Sequence, residues 1–156
     1  MLREAPGPER ARVIGLLDAF QAAERAGADA VGRWIGVCRD ARLRGGLRVI
    51  QARDRRHAFL AEARLRALGG TPEASVSREL TALCRVVGDP GVSDRSKLAV
   101  LLARFPGPGA EALDLLVRDV GDDAETRALL DGILDDERAT VRWLRGIRDV
   151  LDREGP

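Results

Sequence analysis

Apolar residues recur three and four positions apart along most of the chain, which is the period of helices with one buried face. Val13, Leu16, Leu17, Phe20, Ala28, Val31, Ile35 and Cys38 predict one long helix over about residues 9–41, with Pro8 in its first turn. Arg44-Gly45-Gly46 reads as the turn after it. A second helix follows over 47–68 and is stopped by Gly69-Gly70 and Pro72. Leu80, Leu83, Cys84 and Val87 mark a short helix over 76–87. Ser93 or Asp94 can cap another that runs through Leu98, Leu101, Leu102 and Phe105. Pro106-Gly107-Pro108-Gly109 interrupts the pattern. It resumes near Ala110 with Leu113, Leu116, Val117 and Val120, and a last helix extends to about Asp152.

No stretch alternates β-branched and polar residues as a strand would. The short loops favour antiparallel neighbours, so the expected architecture is an all-α helical bundle over 9–153 after a disordered tail at 1–8.

The stripes are interrupted by polar residues at mid-helix. Leu17, Glu24, Ala28, Val31 and Ile35 form the first stripe, with Glu24 inside it. Leu47, Ile50, Asp54, His57, Ala61, Leu65 and Leu68 form the second, and His57 is the only histidine of the chain. Leu130, Ile133, Glu137, Thr140, Leu144, Ile147 and Leu151 form the last. A carboxylate buried alone costs several kcal/mol or neutralises itself by taking up a proton. A divalent cation would satisfy Glu24, Asp54, His57 and Glu137 together. A plainer reading of Asp54 and His57 is a buried hydrogen-bonded pair, or a salt bridge to one of the arginines. For Thr140 it is a bond from the hydroxyl to the carbonyl one turn back.

Composition narrows the partners. The 156 residues carry a net charge of +1, with 45% apolar and 33% charged residues. Nothing in that balance favours nucleic acid or an acidic membrane. Arginine supplies all the positive charge except Lys97, and five aromatic residues are too few for base stacking. The short helices over 76–104 superficially suggest a helix-turn-helix, but they lack a basic recognition face. Arg53, Arg55 and Arg56 are assigned to the solvated face. Cys38 and Cys84 fit no zinc or thioredoxin spacing and read as small buried side chains rather than a disulfide. Without an apolar leader or a membrane-length apolar run, a cytoplasmic location is expected.

Three segments resemble the ferritin-like superfamily, which includes rubrerythrins and the di-iron hydroxylases of ubiquinone biosynthesis. Residues 16–27, through Ala23-Glu24-Arg25-Ala26, are similar to the first helix of small bacterial members. Asp54-Arg55-Arg56-His57 falls at the Glu-x-x-His position of the second helix, which closes at Leu68-Gly69-Gly70. Asp136-Glu137-Arg138-Ala139-Thr140, followed by Trp143-Leu144, resembles the fourth-helix D-E-x-x-H-x-x-W-L. The resemblance covers about residues 10–150. It implies an antiparallel four-helix bundle with an extra short helix, and a metal site in its seam.

The departures define the expected site. Asp54 replaces a glutamate and Thr140 replaces the second histidine. The third-helix glutamate should fall near Ala103–Arg104, where no acid stands; Glu111 and Asp114 are the nearest downstream. The resemblance thus implies half a di-iron site, with Glu24 and His57 as terminal ligands and Asp54 and Glu137 able to bridge.

The expected function is a ferritin-like protein with a degenerate di-iron site. It is non-catalytic or holds at most one iron or manganese ion, in a structural, stress-related or partner-binding role compatible with a homodimer. The alternative is a di-iron or di-manganese oxidoreductase, such as an oxidase, hydroxylase or peroxidase, whose site is completed by Glu111, Asp136 or water.

Overall fold

Side-chain caps set where most of the helices begin. The computed structural model describes residues 7–105, 114 and 117–155, and every regular element among them is α-helical. Helix α1 spans Pro8–Val37, with its proline in the first turn. It stops four residues short of the expected end, because Cys38 and Asp40 turn extended and Asp40 caps the next helix, α2 (Ala41–Ala67). The Asp40 carboxylate accepts the backbone N–H groups of Arg42 at 2.8 Å and Leu43 at 3.0 Å. The connection is therefore residues 38–40. Arg44-Gly45-Gly46, expected as the turn, lies within α2.

Gly46 is there for packing: a Cβ at this position would overlap the six-membered ring of Trp143. At the far end of α2, the N–H of Gly70 bonds the Leu65 carbonyl and Gly69 adopts a positive φ of 86°. Glycine adopts that conformation without steric cost.

Helix α3 (Arg78–Gly88) is capped by Ser77, and α4 (Asp94–Leu102) by Ser93. Of the two capping candidates for α4, Ser93 takes the role. Asp94 instead accepts the Trp34 indole N–H at 2.8 Å and the Arg39 backbone N–H at 3.1 Å. Residues 114 and 117–119 are helical, and the last helix, α5, spans Ala124–Arg153 under an Asp123 cap. The Pro106–Gly109 break, Glu111, most of the expected N-terminal tail and most of the helix expected from Ala110 lie outside the described residues.

Polar contacts at the helix ends give the directions. Arg10 near the start of α1 donates to the Leu68 carbonyl at the end of α2, so these two run antiparallel. Arg42 at the start of α2 binds Glu154 after α5, and Arg64 near its end binds Asp123 before α5; this pair is antiparallel too. Arg95 on α4 reaches the Leu151 carbonyl, and Asp114 pairs with Arg138. From α4 to Asp114 the described residues therefore pass α5 in the opposite direction, parallel to α2, and α3 lies between α2 and α4 in the chain.

Two apolar clusters fill the interior. One gathers Trp34, Leu43, Leu47, Leu98, Leu144 and Leu151. The other gathers Val13, Leu17, Leu65, Leu130, Ile133 and Leu134. The predicted stripes face inward: Leu17, Ala28, Leu47, Ala61, Leu65, Leu130 and Leu144 are all buried. Cys38 and Cys84 are both free, the first buried and the second half-buried. Among the described residues, no helix is long and apolar enough to cross a membrane.

Candidate metal centre

Between the two apolar clusters, α1 contributes Glu24, α2 contributes Asp54 and His57, and α5 contributes Asp136 and Glu137. Each comes from the middle of a long helix, where the backbone is fully bonded and the side chain is placed by the rigid helix rather than by a loop. Gly27 on α1 faces Asp54, and a Cβ there would meet Asp54 Oδ2 at 3.7 Å.

His57 is 1% exposed and stands at the centre of the group. Its Nδ1 lies 3.1 Å from Glu24 Oε2 and 3.4 Å from Glu137 Oε1. Its Nε2 lies 3.0 Å from Asp136 Oδ2. With Nε2–H donating to Asp136, the ring is oriented so that Nδ1 points at the carboxylates of α1 and α5. This is the arrangement in which an outer carboxylate orients a metal-binding imidazole.

Asp54 makes no hydrogen bond among the described residues. The expected Asp54–His57 hydrogen-bonded pair is therefore not what forms: on one helix face the two side chains stand side by side, and His57 bonds across to the neighbouring helices instead.

The electrostatics follow from this crowding. Burial, and then the nearby charges of Glu24 and Glu137, push the Asp54 carboxyl up to about 8. Burial likewise raises Glu24, against the opposing hydrogen bond from His57. For His57, burial disfavours the charged ring, but the nearby Glu137, Glu24 and Asp136 carboxylates outweigh it and raise the group to about 10. Without a metal ion, the imidazolium is the cation that holds these acids together.

That arrangement leaves one atom short. Glu137 Oε1 is buried and has no hydrogen-bond partner. Its 3.4 Å separation from Nδ1 is an ion-pair distance without hydrogen-bond alignment. The single Nδ1–H serves Glu24 and cannot serve both acids.

A metal ion would satisfy Glu137, because one ligand atom from each of Glu24, Asp54, His57 and Glu137 lies within 4.8 Å of the others. That is near the width of a coordination sphere, about twice a metal–ligand bond of ~2.2 Å. Three carboxylates and an imidazole suit a divalent first-row ion better than a soft thiophilic one. The four residues could hold such an ion.

The remaining expectations fare unevenly. Thr140 does not bond back along its own helix; its hydroxyl accepts from Arg53 Nη1 at 3.4 Å. Arg53 is accordingly half-buried and spans to α5, whereas Arg55 and Arg56 are exposed as expected. Ala103 and Arg104 are exposed and supply no acid, and Asp114 is occupied by Arg138 at 3.0 Å.

In the sequence Asp136 reads only as a possible ligand of a second metal ion, whereas in the fold it orients His57. Its signal was available, since an acid directly before a stripe residue sits at the edge of that stripe. No protein-family model matches the chain, and neither does any curated protein or solved structure.

Proposed function

We propose that this chain is a ferritin-like bundle protein that binds a single divalent first-row metal ion, iron or manganese, and lacks the second metal of its di-iron relatives. Support for the fold reading comes from helix order and direction. Helices α1 and α5 run one way, α2 and the described residues from α4 to Asp114 run the other, and α3 lies in the connection between α2 and α4.

Support for the site comes mainly from the buried, unpartnered Glu137 Oε1 inside a four-donor cluster. Glu24, Asp54 and Glu137 would hold the ion as oxygen ligands, and His57 would hold it through Nδ1. A bound ion would supply positive charge in place of the imidazolium proton. The chain's own contribution is to keep Nδ1 aimed inward, to exclude bulk water with the apolar clusters on both sides, and to release protons as the ion enters.

One metal suits a structural or partner-binding role. Two-metal oxygen chemistry needs a second ion, and the residues at Thr140 and 103–104 do not provide for one. The test is to express the protein with iron or manganese supplied and to count metal per chain by elemental analysis. One ion per wild-type chain, lost in Glu137→Ala, is the expected result. Two ions per chain would favour a di-metal oxidoreductase, and none would end the metal-binding reading.

A further inference from the structure

We infer that the Arg53 guanidinium, tethered to Thr140, is a built-in second cation of the carboxylate cluster and restricts it to one metal ion. This rests on the proposed metal-binding reading but makes a separate claim about Arg53.

Arg53 lies four residues before His57 on α2, one helical turn away. Thr140 lies three residues after Glu137 on α5. Because α2 and α5 run antiparallel, both displacements point toward the same end of the bundle. The bond from Arg53 Nη1 to Thr140 Oγ1 therefore crosses the seam one turn beyond His57 and Glu137, at the level of Asp54. Arg53 is also close enough to Asp54 to favour its charged form.

In a two-metal centre the ions lie about 3.5–4 Å apart. A second ion on the Thr140 side of the cluster, where the resemblance places a histidine, would meet this guanidinium. The guanidinium carries a permanent positive charge and only donors, so it cannot itself bind a cation.

Charge balance gives the same answer. Glu24, Asp54 and Glu137 supply three negative charges when ionised. One divalent ion and one guanidinium balance these three ligands, and Asp136 adds a fourth, half-exposed acid beside His57. A second divalent ion would leave an excess of positive charge in a buried seam, with Arg53 repelling it at short range.

The Arg53–Thr140 pair also explains why a threonine is accommodated where the resemblance places a histidine. The shorter side chain leaves space for the guanidinium and offers it an acceptor.

The experiment compares wild type, Arg53→Gln, Arg53→Lys and the double variant Arg53→Gln/Thr140→His. Each is titrated with manganese(II), and free ion is followed by its paramagnetic resonance signal. Each is also heated in the presence of a chelator.

Arg53→Gln should bind its first manganese at least about tenfold more tightly than wild type, because a nearby like charge is gone. Arg53→Lys should bind like wild type, and the double variant should take up two ions per chain. In chelator, Arg53→Gln should unfold at a lower temperature than Arg53→Lys, since the carboxylates lose a counter-charge. Unchanged or weaker manganese binding by Arg53→Gln overturns the inference, as does Arg53→Lys behaving like Arg53→Gln in both measurements. If wild type binds no manganese, the metal-binding reading fails. The unfolding order in chelator still decides whether Arg53 acts as the cluster's cation.

Discussion

His57 Nε2 sits 3.0 Å from Asp136 Oδ2, and this one bond turns the opposite ring nitrogen toward Glu24 and Glu137. Asp136 is half-exposed and is not among the four residues whose donor atoms converge. Its effect on a metal ion should therefore pass through the imidazole. Replacing Asp136 by alanine should weaken manganese binding by about 10–100-fold while leaving one ion per chain at saturation. Isothermal titration of wild type and variant measures this directly, and equal affinities would remove Asp136 from the site.

The metal-free protein should lose stability as pH rises. His57 is raised from its ordinary 6.5 to about 10, so its stabilising contribution is full below 6.5 and is lost as pH climbs through 10. Asp54 is raised from 3.8 to about 8 by burial and its acidic neighbours, so the cost of ionising it in the seam is absent below 3.8, grows as pH rises and is complete above 8. Glu24 shifts in the same direction. Metal affinity should move oppositely, rising with pH because the ion displaces protons from these groups. Urea unfolding in chelator from pH 5 to 9, beside metal titrations over the same range, gives both slopes. Parallel slopes would contradict the site described above.

Removing the imidazole alone should cost much more than removing the whole cluster. His57→Leu strands Glu24 and Glu137 in the seam and should destabilise the metal-free protein by about 3 kcal/mol at pH 7. Replacing Glu24, Asp54, His57 and Glu137 together by apolar residues of similar size should be neutral or stabilising. Replacing Asp54 and His57 alone should not be neutral, because His57 bonds to Glu24 and Asp136 rather than to Asp54. Denaturant midpoints for the three variants test the ordering.

Neighbouring glycines in α2 should respond with opposite signs. Gly45 faces open space, so Gly45→Ala should stabilise by up to about 1 kcal/mol through helix propensity. Gly46 packs against the rigid Trp143 ring, and Gly46→Ala should cost about 1–2 kcal/mol net despite the same gain in propensity. Thermal unfolding of the two single variants is sufficient. A stabilised Gly46→Ala would mean that the α2–α5 packing is looser than described.

Asp40→Ala should cost about 1 kcal/mol near neutral pH by uncapping α2. The Arg42 side chain first, and then the N–H groups of Leu43 and Arg42, hold the Asp40 carboxyl down to about 2. The depressed value means that the cap contributes fully above 3.8 and stops contributing as pH falls through 2. The difference between wild type and variant should therefore vanish in strong acid, which unfolding curves at pH 7 and below pH 2 can establish.

Much of the helical layout was legible from period alone. The 3–4 spacing of Leu47, Ile50, Ala61 and Leu65, and of Leu130, Ile133, Leu144 and Ile147, fixed both the helices and their inward faces. The same spacing exposed Glu24, Asp54, His57 and Glu137 as misfits on those faces, and these four do converge. Burial of a stripe is a local consequence of helix geometry, so a stripe and its interruptions can be read without knowing what packs against them.

The tertiary structure decided what depended on distant partners. Gly45-Gly46 looks like a turn until Trp143 from the last helix occupies the space a Cβ would need, and Asp40 supplies the real helix start. Arg53 looks solvated until Thr140 accepts its guanidinium, and Asp54 and His57 look paired until Glu24 and Asp136 take the imidazole. A single sequence determines which residues share a helix face. Which way a ring turns, what a glycine makes room for and how a buried charge is balanced are settled only when other helices arrive, because each is an interaction between residues that local spacing does not connect.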